Sequence, residues 1–480
     1  MTLVATVARN TVWAFGGQIA TRLIQLGASM VLARTLETSG FGDFGYLVAV
    51  LTFFQFLGDL GVEKISLREI ARDPTGADRL VGATMGLRAV LSIGAAAIAA
   101  AFLYAAAPSP RLARLGALAC LSLPFNLASI YPAYYQAVLR VKKGAWISVV
   151  QGAIGSGFLL AGALLPSLLP SIEERRLEAV VIAFALAPLA TLGVSAWLAR
   201  GDLRPGIRGG RAVWGRLLRE GAPLAFNTIC LLASLRADQV ILRSVKGAAP
   251  LGQYVAALRL LDAFSVVPTV LLVSAFPLMA RFDRVAPERF IETTRYTCKL
   301  LATIVLPVAL AVSLLAEPIL GTLFGEPYVP AAPTLAILVW SLFFAFSGMV
   351  ISDAITAAGR QAIFLGLSVF TTAVNIGLNL LLIPRYGARG AAIAFLVYSA
   401  SSLPVLVALR KTRPLMRALL DATWRPVLVT ATLALAVQAG VPRALFIGGL
   451  LPVYGLLLLA TGAIDRTDLA LLRRALRRSP

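Results

Sequence analysis

Arg22 stands about 12 residues into an uninterrupted apolar stretch, which at 1.5 Å per residue places its guanidinium roughly 18 Å along the helix. Thr11, Gln18, Arg22, Gln25 and Ser29 follow one another at spacings of 7, 4, 3 and 4. That rhythm sets all five on one face of a helix whose other faces are apolar. A fixed positive charge flanked by amides and hydroxyls suits an anionic, polyhydroxylated ligand, because a guanidinium offers forked donors and cannot be deprotonated. The competing reading is structural, with Arg22 neutralised by a carboxylate and merely pinning helices together.

A second group lies in two further apolar stretches, at Arg236 and Asp238 and at Arg259 and Asp262. Arg259 and Asp262 are three apart and can pair on one helical face. Asp238 shares a face with Asn227 and Ser234, whereas Arg236 points the other way. The group is either a set of structural charge pairs or a site in which Arg259 faces a cavity and Asp238 or Asp262 titrates. Arg88 lies about eight residues inside another stretch and either joins the cavity or snorkels to the headgroups. Asp59 and Asp353 sit near the cytoplasmic ends of their stretches, where capping or interfacial roles are expected in place of ion binding. Asn375 and Asn379, four apart, form a polar face expected to bond to a neighbouring helix.

Several chemistries are excluded. The chain has no histidine, the commonest general base and metal ligand. Cys120, Cys230 and Cys298 each stand alone in apolar sequence, without metal or redox spacing. No GxxxxGK[ST] phosphate loop occurs, and no acidic pair with metal spacing lies in an outer loop. No cofactor and no catalytic residue is expected.

The elements that must position these residues are membrane helices. Of 480 residues 59% are hydrophobic and 14% charged, with mean hydropathy +0.83, whereas soluble chains carry roughly a quarter charged residues. Apolar windows of about 20 residues, the length that crosses a bilayer core, recur from residue 10 to residue 463. They divide into about fourteen spans. The net charge of +21 would suggest nucleic acid in a soluble protein. Here thirty Lys and Arg fall on alternate segments and ten on the opposite ones, with Arg22, Arg88, Arg236 and Arg259 inside spans. This is the positive-inside pattern, and it places both termini in the cytoplasm.

The chain also repeats itself. VLAR at 31–34 returns as VILR at 240–243, GDF at 42–44 as GQY at 252–254, and IAF at 182–184 as IAF at 393–395. The offset stays between 209 and 211, so a six-span unit is used twice. An even number of spans returns the chain to the same side, making the halves parallel repeats about the membrane normal. The expected organisation is a six-helix lobe over 1–199, a basic cytoplasmic linker over 200–220, a second six-helix lobe over 221–410, and two extra spans with a basic tail over 411–480.

Several segments resemble the oligosaccharide flippase (polysaccharide transporter) family of the multidrug/oligosaccharidyl-lipid/polysaccharide exporter superfamily. They are RNTVWAFGGQIATRLIQLGASMVLARTL with GFGDFGYLVAV and LREIAR in the first 72 residues, LRADQVIL and GQYVAALRL at 235–260, and AVNIGLNLLLIPRYGARGAAIAF at 373–395. The resemblance implies two six-helix lobes around a cationic cavity working by alternating access, similar in architecture to lipid II flippases. It implies a bacterial inner-membrane protein, not an enzyme, whose substrate is a polyprenyl-diphosphate-linked oligosaccharide for cell-surface polysaccharide. Its implied partners are that glycan, membrane lipids and polysaccharide-assembly enzymes, with no nucleic acid. The cavity residues would be Gln18, Arg22, Gln25, Ser29, Arg88 and Arg259, with Arg236, Asp238 and Asp262 in ion coupling or charge pairs. Spans 13 and 14 would hold the lipid tail. The alternatives are a cation-expelling multidrug antiporter of the same superfamily, a membrane polymerase or glycosyltransferase, and a scaffold without transport.

Overall fold

A computed structural model describes residues 3–168, 175–203, 205–206, 211–360, 362–439 and 443–462. Arg204, Arg208 and the tail arginines from 466 onward lie outside the described residues. Among the described residues the protein is helical, with no strand. The helices are α1 (Leu3–Leu57), α2 (Val62–Arg72), α3 (Ala77–Ala106), α4 (Pro110–Cys120), α5 (Ile130–Ala137), α6 (Val141–Leu168), α7 (Arg176–Ala199), α8 (Arg211–Lys246) and α9 (Ala248–Phe264). They continue with α10 (Val266–Val285), α11 (Pro287–Leu314), α12 (Ala316–Leu323), α13 (Ala332–Leu338), α14 (Ser341–Ala357), α15 (Ile363–Ala408), α16 (Arg413–Gln438) and α17 (Arg443–Ala460).

Nine helices among the described residues are long and apolar enough to cross a bilayer, or ten if one bent pair counts as a single span. Two of the nine, Gly16–Leu57 and Gly366–Ala408, run 42 and 43 residues. At 1.5 Å per residue each is about twice the thickness of a hydrocarbon core. Each also holds one residue with non-helical backbone, Glu37 in α1 and Gly387 in α15. The lipid requirement is plain in α3, where only 22% of the most apolar window is buried. Val90, Ile93, Ile98 and Phe102 point outward, an apolar surface that water would not tolerate.

The chain forms two compact units. The first comprises residues 1–266, 320–331 and 364–394. Within it α1 packs along α6, α8 and α9, and α6 along α7. The repeat meets itself here. An added Cβ on Gly42 would lie 1.9 Å from the Ala248 carbonyl oxygen, and one on Gly252 would lie 1.9 Å from the Thr38 carbonyl oxygen. Thr38 and Ala248, like Gly42 and Gly252, are 210 residues apart, so the contact is a pseudo-two-fold crossing of α1 over α9. Only glycine lets the two backbones approach this closely. Glu37 at φ 57 and Gly247 at φ 92 precede the crossing at the same offset. An ion pair from Arg243 Nε to Asp43 Oδ1, at 2.7 Å, ties α8 to α1 beside it. Helix starts are capped by their own sequence. In α4 the Ser109 hydroxyl accepts from Leu112 N at 3.2 Å, and Pro110 takes the first helical position.

The second unit comprises residues 267–319, 332–363 and 395–480. Within it α11 packs against α14 and α16. Leu310 of α11, Val429 and Leu433 of α16, and Tyr454 and Leu458 of α17 close one apolar cluster.

Candidate anion site

The site rests on α1, α8 and α9, all in the first unit. Arg22, Gln18 and Gln25 are exposed on α1 and Ser29 is half-buried. The side chain of Thr11 lies outside those described. Among the described residues no carboxylate forms an ion pair with Arg22, so the pinning alternative finds no partner there.

Arg22 does have charged company of its own sign. Arg259 on α9 feels the positive charge of both Arg22 on α1 and Arg236 on α8. Two repeats contribute, Arg22 from the first and Arg236 and Arg259 from the second. Like charges brought together in a partly desolvated setting repel strongly, and the protein supplies little to relieve them. Arg259, 31% exposed, has Asp262 of its own helix at 3.8 Å, too long for a hydrogen bond, and that carboxylate is 53% exposed. The expected Arg259–Asp262 pairing therefore exists as a loose contact.

Asp238 is the other carboxylate nearby. It is buried on α8, with Arg236 as its charged neighbour. Its oxygens are already engaged. Tyr254 Oη donates to Oδ2 at 2.5 Å, and the Gln239 backbone N–H donates to Oδ1 at 2.7 Å. Three arginines thus face two carboxylates, leaving a surplus of one positive charge. The Nε atoms of Arg236 and Arg259 are shielded from solvent and lack a hydrogen-bond partner among the described residues. Donors in that condition call for an acceptor, and an anion with several oxygens would satisfy charge and hydrogen bonds together.

Arg88 is not brought to this group. Its side chain, 7% exposed, has Nε 3.0 Å from Asp59 Oδ1 and Nη1 2.5 Å from Glu63 Oε2. Nη1 also donates to Ser129 Oγ at 3.2 Å, and that hydroxyl donates to Glu63 at 2.6 Å. The arginine is enclosed with two carboxylates and neither snorkels nor stands free. Asp59 doubles as the expected cap, accepting from the backbone N–H of Gly61 at 3.2 Å and of Glu63 at 3.4 Å at the start of α2. Asn375 and Asn379 also differ from expectation. They are fully buried, and Asn379 Nδ2 donates to the Asn375 side chain and backbone at 3.0 Å, so among the described residues they bond to each other and not across to another helix. The tie between α8 and α15 is instead made by Ser234 Oγ to Thr372 Oγ1 at 2.9 Å and Thr372 Oγ1 to the Cys230 carbonyl at 3.0 Å.

Residues 7–283 match the family described as polysaccharide biosynthesis protein, and residues 223–381 match the MatE family. A protein of Shigella flexneri described as "Putative O-antigen transporter" is 23% identical over 404 residues, covering 81% of this chain and 94% of that protein. In fold, the chain is similar to the lipid II flippase MurJ in an inward closed conformation, with a TM-score of 0.71 at 14% identity over 95% of this chain and 99% of that one. An inward-facing multidrug resistance MATE family transporter of the MOP superfamily superposes with a TM-score of 0.57 at 17% identity, covering 85% of this chain and 95% of that one.

Proposed function

Since the chain belongs to the polysaccharide biosynthesis protein family, within the superfamily of multi-pass membrane transporters and flippases, we propose that it moves a polyprenyl-diphosphate-linked oligosaccharide from the cytoplasmic to the outer leaflet by alternating access. The observation that carries this reading is the surplus of positive charge around Arg259, which feels Arg22 and Arg236, together with the unpartnered Nε atoms of Arg236 and Arg259 among the described residues. A diphosphate brings negative charge and several acceptor oxygens, which is what those arginines lack. Gln18, Gln25 and Ser29 on the same face as Arg22 suit the hydroxyls of the attached sugars, while the prenyl tail stays in lipid. The relatives with a described role are transporters and flippases, and the cargo crosses without a bond being made or broken.

The reading includes a topology of fourteen spans with both termini in the cytoplasm of a bacterial inner membrane. Lobes 1–199 and 221–410, joined by the linker 200–220, would rock about their repeat axis, and 411–480 would add two spans. Polysaccharide-assembly enzymes would be its partners on either side of the transport step.

The competing reading is a cation-expelling antiporter, favoured by the MatE match over 223–381. It needs surplus carboxylate to hold its cargo, whereas the group on α1, α8 and α9 has surplus arginine. Reconstituted vesicles separate the two. The protein is expected to move a fluorescent polyprenyl-diphosphate glycan and not a lipophilic cation such as ethidium. Ethidium export without glycan movement would reverse the assignment.

A further inference from the structure

We infer that the N-terminal half carries a second, uncharged pocket that receives one sugar ring of the cargo, an inference that rests on the flippase reading above. The pocket is a cavity of about 360 Å³ formed by α1, the 122–128 segment, α6 and α7, all within the first unit. No charged residue lines it. Four carboxamides do, from Gln25, Gln55, Asn126 and Gln151, together with the hydroxyls of Thr52, Ser122, Ser156 and Thr191.

The state of those groups points to the ligand. Gln151 Nε2 is held by the Ala128 carbonyl at 2.9 Å and Ser195 Oγ at 3.0 Å, so its orientation is fixed and its Oε1 is left to accept. The side chains of Gln25, Gln55 and Asn126 have no hydrogen-bond partner among the described residues. Thr52 and Thr191 donate to the carbonyls of Val48 and Ala187 in their own helices, at 2.6 and 2.7 Å, which leaves their oxygens as acceptors. The wall therefore alternates fixed acceptors with open amides that both donate and accept. A carboxylate or ammonium guest would find no counter-charge, and a purely apolar guest would strand the amides in a membrane protein's interior.

A polyol matches: each hydroxyl gives one hydrogen and takes another, as each carboxamide does. Phe184 and Leu159 line the same cavity and offer an apolar surface to the C–H face of a ring. The volume is ample for a single sugar ring with some water beside it. Position supports the pairing with the anion site. Gln25 lines the pocket and lies three residues from Arg22, on the same face of α1. A diphosphate at Arg22 would deliver its first sugar toward Gln25. The pocket thus gives the carrier a means of telling a glycan-loaded lipid from the bare lipid diphosphate, which the arginines alone cannot do.

The test measures equilibrium binding to the full-length protein in detergent. The probes are bare polyprenyl diphosphate and the same lipid bearing a single glucose, galactose or N-acetylglucosamine. Wild type is expected to prefer at least one sugar-bearing lipid by about tenfold, the worth of one or two neutral hydrogen bonds. Gln55→Leu/Gln151→Leu is expected to bind the bare lipid as wild type does and to lose that preference. Gly155→Leu tests the same point by filling the cavity, because Gly155 lines it and an added Cβ there meets nothing within 4 Å. If the amide variant fails to fold, Gly155→Leu decides alone. Wild type preferring no sugar, a preference surviving in either variant, or loss of bare-lipid binding in both overturns the pocket. Failure of wild type to bind any lipid diphosphate overturns the flippase reading instead.

Discussion

Arg88 is expected to be a structural keystone with no direct contact to cargo, and its removal tests that sharply. Arg88→Ala would leave Asp59 and Glu63, now 3.0 and 2.5 Å from its guanidinium nitrogens, facing each other without a cation. Breaking a buried ion pair by deleting one partner costs about 3–5 kcal/mol, because the remaining charge stays desolvated. Asp59 and Glu63 keep 19% and 21% of their surface, so water takes up part of the loss and the lower end, about 3 kcal/mol, applies. That is about two powers of ten in the folded-to-unfolded ratio. The measurement is denaturant unfolding of purified protein, followed by tryptophan fluorescence. The uncharged triple variant Arg88→Met/Asp59→Asn/Glu63→Gln should recover most of the loss, because it removes the stranded charges with the cation. Unchanged stability in Arg88→Ala, combined with lost binding of polyprenyl diphosphate, would refute this and return Arg88 to the binding machinery.

Gly42→Ala and Gly252→Ala should each destabilise by about 1–3 kcal/mol, since the new methyl meets a backbone carbonyl and the clash outweighs the gain in helix propensity; Gly348→Ala, where a Cβ meets nothing within 4 Å, should be neutral or stabilising in the same unfolding assay. Glu37→Gly should stabilise by about 1 kcal/mol, because φ 57 with ψ −177 is backbone territory that glycine alone enters freely; a loss of stability would show that the Glu37 side chain outweighs its backbone cost. Asp202 is held down to about 2, from 3.8, chiefly by the hydrogen bond from Lys143, with Tyr135 and Arg140 adding to it. A lowered carboxylate stabilises the folded state above its unfolded value and loses that contribution as pH falls through the folded one. Stability should therefore drop between about pH 4 and pH 2, and Asp202→Asn should flatten that part of the profile.

The arginines stood out in the sequence because charge inside an apolar helix is costly enough to need a reason, and because spacings of three and four fix a shared face. Arg22, Gln18 and Gln25 come out exposed together on α1 as their rhythm requires. What periodicity could not supply was that Arg259 on α9 lies within electrostatic reach of Arg22 on α1, or that α1 crosses α9 where Gly42 faces Gly252. The three sequence matches at offsets near 210 pointed to that crossing without revealing it. Arg88 was misjudged for a related reason. Its partner Glu63 starts a short interfacial helix, α2, which reads in sequence as part of a charged loop. The break between the first two apolar stretches was legible, since the polar segment 34–41 separates them and the one left-handed residue of α1, Glu37, falls within it. The neutral pocket was missed although Gln55 and Gln151 sit in apolar stretches. Gln55 has Thr52 and Asp59 at helical spacing and Gln151 has Ser148, but the two glutamines lie on different helices and only tertiary packing brings them together.

The account turns on whether the three arginines share one anion, and equilibrium binding of polyprenyl diphosphate to the purified protein measures that directly. Arg22→Gln and Arg259→Gln should each weaken binding by about tenfold or more, as expected for charge-assisted contacts. The double variant should lose less than the product of the two, because groups acting on a common ligand are coupled. Affinity in the double variant equal to wild type would contradict the claim, whatever the family to which the chain belongs.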